Sequence, residues 1–213
     1  MTLAYLKDPS AIYHQSFTTI RQKADLSRFC NNNEVDLAIR VIHACGMIDI
    51  AEDIIFNGDV AGKTRSAINC GRPVFVDVHM VQVALSQSKN NLVNMDVRCT
   101  VSAPETELRA KKLCTTRSAA AVHGWIEHLE DSVVVIGNAP TALFALLELL
   151  DEGAPKPAAV FAFPVGFVGA IESKSELVKN PRGLNFMTVS GRRGGSAMAA
   201  AAFNAVWLGV HKI

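Results

Sequence analysis

His43 is the residue of this chain best suited to move a proton. It stands in the run Val41-Ile42-His43-Ala44, and imidazole is the side chain whose unperturbed pKa suits donation near neutral pH. On residue type alone a second reading stays open, a hydrogen-bonded histidine inside the core. Anion-holding chemistry is concentrated in three turns further along. They are Gly137-Asn138-Ala139-Pro140-Thr141, Pro164-Val165-Gly166-Phe167-Val168-Gly169 and Ser190-Gly191-Arg192-Arg193-Gly194-Gly195-Ser196. Each follows a β-rich run and opens a helical one. Glycines let backbone N–H groups approach a ligand closely, and helix starts add unpaired donors. Any one such turn is also ordinary loop chemistry. All three, with two arginines in the last, describe a surface for several oxyanions.

Other constellations carry less. Gly58-Asp59-Val60-Ala61-Gly62-Lys63-Thr64 resembles a phosphate-binding loop but has three residues between its glycines, where the motif needs four. There is no GxGxxG and no HExxH. His123 and His128 are five apart and do not share the helix face that zinc chelation needs; a solvated helix surface is the better reading. Asp77 and His79 alternate along a strand-like run and are expected to make at most a structural pair. Glu148, Asp151 and Glu152 read as a solvated helix end. Cys30, Cys45, Cys70, Cys99 and Cys114 are scattered and odd in number, with no CxxC among them. They read as buried, reduced thiols.

The elements that must position these residues follow from the hydrophobic pattern. Ile12, Phe17, Ile20, Ala24 and Leu26 recur at helical spacing, and so do Leu37, Ile39, Val41, Ile42 and Ala44 up to Gly46. Asn31-Asn32-Asn33 makes a polar link between them. Beyond Pro73, β-rich runs appear at 73–78, 97–101, 132–136, 158–163 and Phe186–Val189. Helical stretches at 115–129, 141–150 and Ser196–Leu208 lie among them. The expected fold is a single α/β domain over 1–213, with a largely parallel sheet of about five strands and helices on both faces. In such sheets ligands sit at the carboxyl ends of the strands, where the three turns fall.

Composition fits this. Hydrophobic residues make up 49% of the 213, and the formal net charge is +1. That is enough for a core covered on both faces, and the flat balance argues against nucleic-acid binding by general electrostatic attraction. Residues 1–16 carry no basic-then-apolar leader, and no apolar run reaches the ~18 residues of a membrane helix. The expectation is a cytoplasmic protein with no membrane or nucleic-acid partner.

Six blocks, in order, resemble the precorrin-8X methylmutases, also called precorrin isomerases. These are Ile-Tyr-x-x-Ser-Phe-x-x-Ile-Arg over 12–21, Arg-x-x-His-Ala-x-Gly over 40–46 and Thr-Thr-Arg-Ser-Ala-Ala-Ala over 115–121. The others are Gly-Asn-Ala-Pro-Thr-Ala-Leu over 137–143, Phe-Pro-Val-Gly-Phe-Val-Gly-Ala over 163–170 and Gly-Arg-Arg-Gly-Gly-Ser-Ala over 191–197. The stretch 69–94 matches loosely, and His79 stands where an acidic residue is expected.

The resemblance implies an isomerase of cobalamin (vitamin B12) biosynthesis. Such enzymes move one methyl group of a corrin-type macrocycle from C-11 to C-12, a [1,5]-sigmatropic shift that converts precorrin-8X to hydrogenobyrinic acid. No metal, cofactor or external methyl donor is implied. His43 becomes the catalytic acid. The substrate-binding set becomes Ser16, Arg40, Thr116, Arg117, Asn138, Gly166, Arg192 and Ser196. A homodimer is implied, with the pocket near the subunit interface, and transient contact with neighbouring pathway enzymes is an expectation of the same kind. The residues suit a flat apolar ring fringed with carboxylates. Phe163, Val165, Phe167 and Val168 offer a floor; Arg117, Arg192 and Arg193 offer a rim, because guanidinium pairs carboxylates bidentately. Two other classes compete. A methyltransferase using S-adenosylmethionine would need its Gly-rich loop early in the chain, and these turns come late. A non-catalytic tetrapyrrole carrier would use the same grip without a proton donor.

Overall fold

The computed structural model describes residues 3–86 and 95–208. All of its strands join one sheet. They are β1 (Ile54–Asn57), β2 (Val74–Val76), β3 (Val97–Arg98), β4 (Val133–Ile136), β5 (Ala159–Ala162) and β6 (Phe186–Val189), in the order β1-β6-β5-β4-β2-β3. The strands β2 to β6 run parallel, and β1 lies antiparallel to β6 with Ile54 opposite Val189. The α/β class and the largely parallel sheet are as expected, and so are the five strands read from the sequence. The sixth, β1, corrects that reading. Its apolar run Ile54-Ile55-Phe56 is too short to show a period, and β6, far along the chain, supplies its pairing.

Alternate residues along each strand face opposite layers. Val74, Val76, Val133, Val135, Phe161, Met187 and Val189 face α2 (Asn32–Cys45), α3 (Val60–Asn69), α4 (His79–Ser86) and α9 (Ser196–Leu208). Val134, Ile136, Val160, Ala162 and Phe186 face α6 (Arg117–His123), α7 (Pro140–Asp151) and α8 (Ala170–Lys179). Strands buried on both sides explain the continuous Val/Ile runs. The first helix, α1 (Pro9–Lys23), packs on α2, while α5 (Pro104–Lys112) packs on α6. The expected helix over 115–129 stops at His123. Gly124 follows, and a separate 3-10 turn covers Ile126–His128, so His123 and His128 never share a helix.

The Asn31–Asn33 region is more than a link. Asn31 Oδ1 accepts the Glu34 N–H, and the Glu34 carboxylate accepts the Cys30 N–H. This reciprocal cap starts α2, and the helix ends where the Gly46 N–H bonds the Ile42 carbonyl. The cysteines correct expectation in one respect: all five are free, but Cys30, Cys70 and Cys114 are exposed, and Cys45 and Cys99 only half-buried. The three exposed ones sit at helix ends or turns, where no layer covers them.

Because β3 and β4 flank β2 on opposite sides, the chain reverses its path across the sheet there. The crevice between the carboxyl ends of β2 and β4 is the position where such sheets bind ligands. The turns after β4, β5 and β6 lie on this same edge and are tied together. Val165 N–H donates to the Asn138 carbonyl, Gly166 N–H to that of Arg192, and Gly195 N–H to that of Phe163, at 3.2, 3.3 and 2.9 Å. The start of α9 presses on the β4 turn so closely that a Cβ on Gly137 would lie 2.9 Å from Ser196 Cα. Only glycine fits at that approach.

Candidate active site

His43 occupies the last turn of α2, half-buried. Its ring packs against Tyr13 and Phe17 of α1, with centroids 5.5 and 5.3 Å away. Among the described residues its ring nitrogens have no hydrogen-bond partner. The ring lines a cleft of about 540 Å³ between α1 and α2, with Ile12, Gln15, Ser16, Thr19 and Ile42 among the other walls. Residues 12, 15, 16 and 19 form one face of α1. A core histidine would be buried and hydrogen-bonded; this one faces open space beside Ser16. Burial pushes its pKa below the usual 6.5, and the Arg40 charge adds to the depression. Arg40 lies one turn earlier, its guanidinium 5.0 Å over the Phe17 ring. Burial also lowers its pKa, opposed by Tyr13 and Asp36.

The carboxyl edge of the sheet holds a second group. Asn138 is exposed, but the N–H groups of its turn are not available to a ligand, which corrects the expectation. Gly137 N–H donates to Asp77 Oδ1 at 2.9 Å, and those of Asn138 and Ala139 donate to Oδ2 at 2.9 and 2.8 Å. Asp77 stands at the end of β2, fully buried. Burial raises its pKa, and the three amides oppose that rise. It makes no pair with His79, whose ring nitrogens meet Gln82 Oε1 and Ser102 Oγ at 3.0 and 3.2 Å.

Phe163 is fully buried against α9 and the sheet and cannot serve as a floor. Val165, Phe167 and Val168 are exposed, the last two at 89% and 88%. Gly166 among them has φ +134°, which side chains rarely adopt. Arg192 lies over the Phe167 ring at 5.8 Å. Arg193 turns away from any rim. It pairs with Asp49 at 2.7 Å and with Asp53, and Ser190 Oγ donates to Asp53 at 2.6 Å. Asp49 and Asp53 belong to a 3-10 turn, Ile48–Asp53, which follows α2 directly. This lattice brings the end of α2, and His43 with it, to the edge that carries the turns. The fully buried Lys174 of α8 donates to the Arg193 carbonyl at 2.6 Å, and burial lowers its pKa to about 8.

Ser196 begins α9, half-buried beside Gly137. Thr116 caps α6: its hydroxyl accepts the Ala119 N–H at 3.2 Å and meets Thr141 Oγ1 at 2.8 Å. Arg117 follows, exposed, in the helix layer across the sheet from His43. The chain therefore gathers Ser16, Arg40 and His43 on one side, and Asn138, Gly166, Arg192 and Ser196 along the edge. Thr116 and Arg117 lie on the far side. Sequence reasoning missed the turn that Asp77 holds, Lys174 and the Tyr13–Phe17 packing on His43. Only the last left a signal, aromatic residues at i and i+4.

The profile of the CbiC precorrin-8X methylmutase family matches residues 11–208. The chain belongs to that family. The precorrin-8X methylmutase of Pseudomonas aeruginosa is 51% identical over 202 residues, 95% of this chain and 96% of that one. The cobalt-precorrin-8 methylmutase of Priestia megaterium is 34% identical over 198 residues, 93% and 87% of the two chains. Among solved structures, the precorrin-8X methyl mutase from Thermus thermophilus aligns with TM-score 0.82 at 34% identity, over 92% of this chain and 94% of that one. As a precorrin-8X methylmutase family member the chain is an isomerase of cobalamin biosynthesis. Of the loosely matching stretch 69–94, residues 87–94 lie outside the described residues. Among the described residues no helix is long and apolar enough to cross a membrane.

Proposed function

We propose that this chain converts precorrin-8X to hydrogenobyrinic acid by shifting a methyl group from C-11 to C-12, with His43 protonating a ring nitrogen. One observation carries the role of His43: its imidazole, without a hydrogen-bond partner among the described residues, lines an open cleft between α1 and α2. Protonating the conjugated ring favours the rearrangement; after the methyl group has moved, the ring nitrogen returns the proton to His43, so no atom is gained or lost overall. Ser16 serves the same cleft as a hydroxyl donor, with Arg40 behind it. Val165, Phe167 and Val168 meet the apolar ring. Arg192 pairs its carboxylates, with Asn138 and Ser196 as further polar contacts along the edge; Gly166, whose N–H is bonded to the Arg192 carbonyl, shapes the turn rather than donating to the ligand. Arg117 and Thr116, across the sheet from His43, meet the macrocycle from the second subunit of the homodimer proposed below. The 51% identity to an enzyme named for precorrin-8X, against 34% to one named for the cobalt form, favours the metal-free substrate.

The test is incubation of the purified protein with precorrin-8X, followed by visible absorbance and mass spectrometry. A changed spectrum at unchanged mass is the expected result. Substrate that is bound but recovered unchanged would identify a carrier instead.

The direction of the His43 shift sets a pH dependence. Only imidazolium donates, and in the free enzyme its pKa lies below 6.5. The value of kcat/KM is therefore expected to be full below that pKa and to fall about tenfold per unit above it. Substrate carboxylates near the ring favour the charged form, so the kcat profile is displaced toward higher pH. A flat kcat/KM from about pH 5 to about pH 8 would remove His43 as the acid.

The reading includes a homodimer. Exposed apolar side chains near the carboxyl edge, Met80 and Val83 on α4 with Phe167 and Val168, support it. Sedimentation at working concentration is expected to give twice the chain mass; monomer alone would overturn it.

A further inference from the structure

The proton transfer proposed above does not use the buried carboxylate at the switch point of the sheet, yet this group occupies the position where this kind of sheet binds ligands. Asp77 is completely shielded from solvent. Among the described residues no lysine or arginine pairs with it. A carboxylate in that setting is costly unless its oxygens are fully hydrogen-bonded. Here three consecutive amides supply the bonds, one to Oδ1 and two to Oδ2. Asp77 thus fills, from within the protein, the anion nest that the sequence offers to a ligand.

What the carboxylate holds is the turn after β4, and four parts of the site hang on that turn. Asn138 projects from it, exposed. The Asn138 carbonyl accepts the Val165 N–H, which places the start of the apolar floor. Gly137 lies against Ser196 with no room for a side chain. Thr141, just beyond, shares a hydrogen bond with Thr116, the cap of the helix that begins with Arg117. The surroundings of His43, namely Tyr13, Phe17 and Arg40 on α1 and α2, lie outside this set.

We infer that Asp77 is a positioning residue for the methyl shift: by clamping the amides of Gly137, Asn138 and Ala139 it sets the surface that grips the macrocycle. The inference rests on the function proposed above and assigns Asp77 to substrate grip, separate from proton donation. Its signature is a split between KM and kcat.

The experiment compares Asp77→Asn and Asp77→Ala with the wild-type enzyme, using precorrin-8X as substrate. In Asp77→Asn an NH2 group faces one or two amide donors, so the turn shifts. The expected result is a KM raised about tenfold or more, with kcat within about twofold and the pH profile of His43 unmoved. Asp77→Ala leaves three buried amides facing a small void. Formate is the probe there: it is expected to lower KM saturably toward the wild-type value, where chloride at equal ionic strength does not. If Asp77→Asn fails to fold, the formate titration of Asp77→Ala carries the test. An unchanged KM in folded Asp77→Asn overturns the inference. So does a fall in kcat that tracks loss of thermal stability, or a KM in Asp77→Ala that ignores formate. Failure of the proposed reaction reads differently, because the wild-type protein would then bind precorrin-8X without converting it. The Kd for the macrocycle would replace KM, and the same shifts would be required of it.

Discussion

His43→Ala is expected to abolish turnover while leaving binding of the macrocycle largely intact. The ring is held by many contacts along the sheet edge, and the imidazole acts mainly in the transition state. General acid catalysis is typically worth about 10²–10⁴-fold, so kcat is expected to drop by at least that range. The fold is expected to survive. His43 is half-buried at the cleft surface, and truncation removes its ring contacts with Tyr13 and Phe17. His43→Asn is the sharper variant. It keeps a hydrogen-bond donor of similar reach but cannot transfer a proton near neutral pH. Under the acid role, Asn is nearly as inactive as Ala, and both retain the wild-type affinity for precorrin-8X. Should Asn keep most of the activity, His43 only orients the ring. Should both variants unfold, the histidine belongs to the core after all, despite its open cleft.

The parts of the fold that were legible are those whose signal is local. The strands β4, β5 and β6 are short Val- and Phe-rich runs buried on both faces, and each is bounded by Gly, Pro or polar residues. Strand β1 was not legible, because its one useful property is a partner on β6. The helix α4 was hidden for a related reason: Asp77-Val78-His79 alternates like a strand, but pairing ends at Val76 and the chain turns into a helix at His79. The same misreading set Asp77 against His79, two residues away. Its actual partners are 60 to 62 positions along the chain. Arg192 and Arg193 show the same limit at the site. Adjacent in sequence and identical in chemistry, they diverge because Asp49 and Asp53 arrive beside only one of them. Sequence could locate the turns and the histidine. It could not show which donors the protein spends on itself.

Arg117→Ala is expected to weaken binding of the carboxylate-rich macrocycle about tenfold or more, with kcat little changed. Among the described residues no hydrogen bond or ion pair explains Arg117. The hydroxyl of Thr116 already caps α6, and the N-terminal end of a helix is electrostatically the wrong place for a cation. The side chain is exposed, so its removal leaves no cavity and the fold is expected to be unaffected. Its charge reaches Glu107, whose pKa is lowered chiefly by Lys111, with Arg117 the smallest contributor. A guanidinium so little engaged is available for a ligand. In water such an exposed pair would contribute little; a tenfold effect requires that the bound macrocycle, or the second subunit, shield it. Arg117→Lys separates charge from geometry. It keeps the positive charge but loses the bidentate fork, so its affinity is expected to fall between those of wild type and Ala. Calorimetric titration with precorrin-8X at two salt concentrations makes the measurement. The wild-type affinity is expected to fall more steeply with salt than that of Arg117→Ala. Equal affinities for wild type and Ala at both salt levels would take Arg117 off the rim and leave carboxylate recognition to Arg192 and the turns.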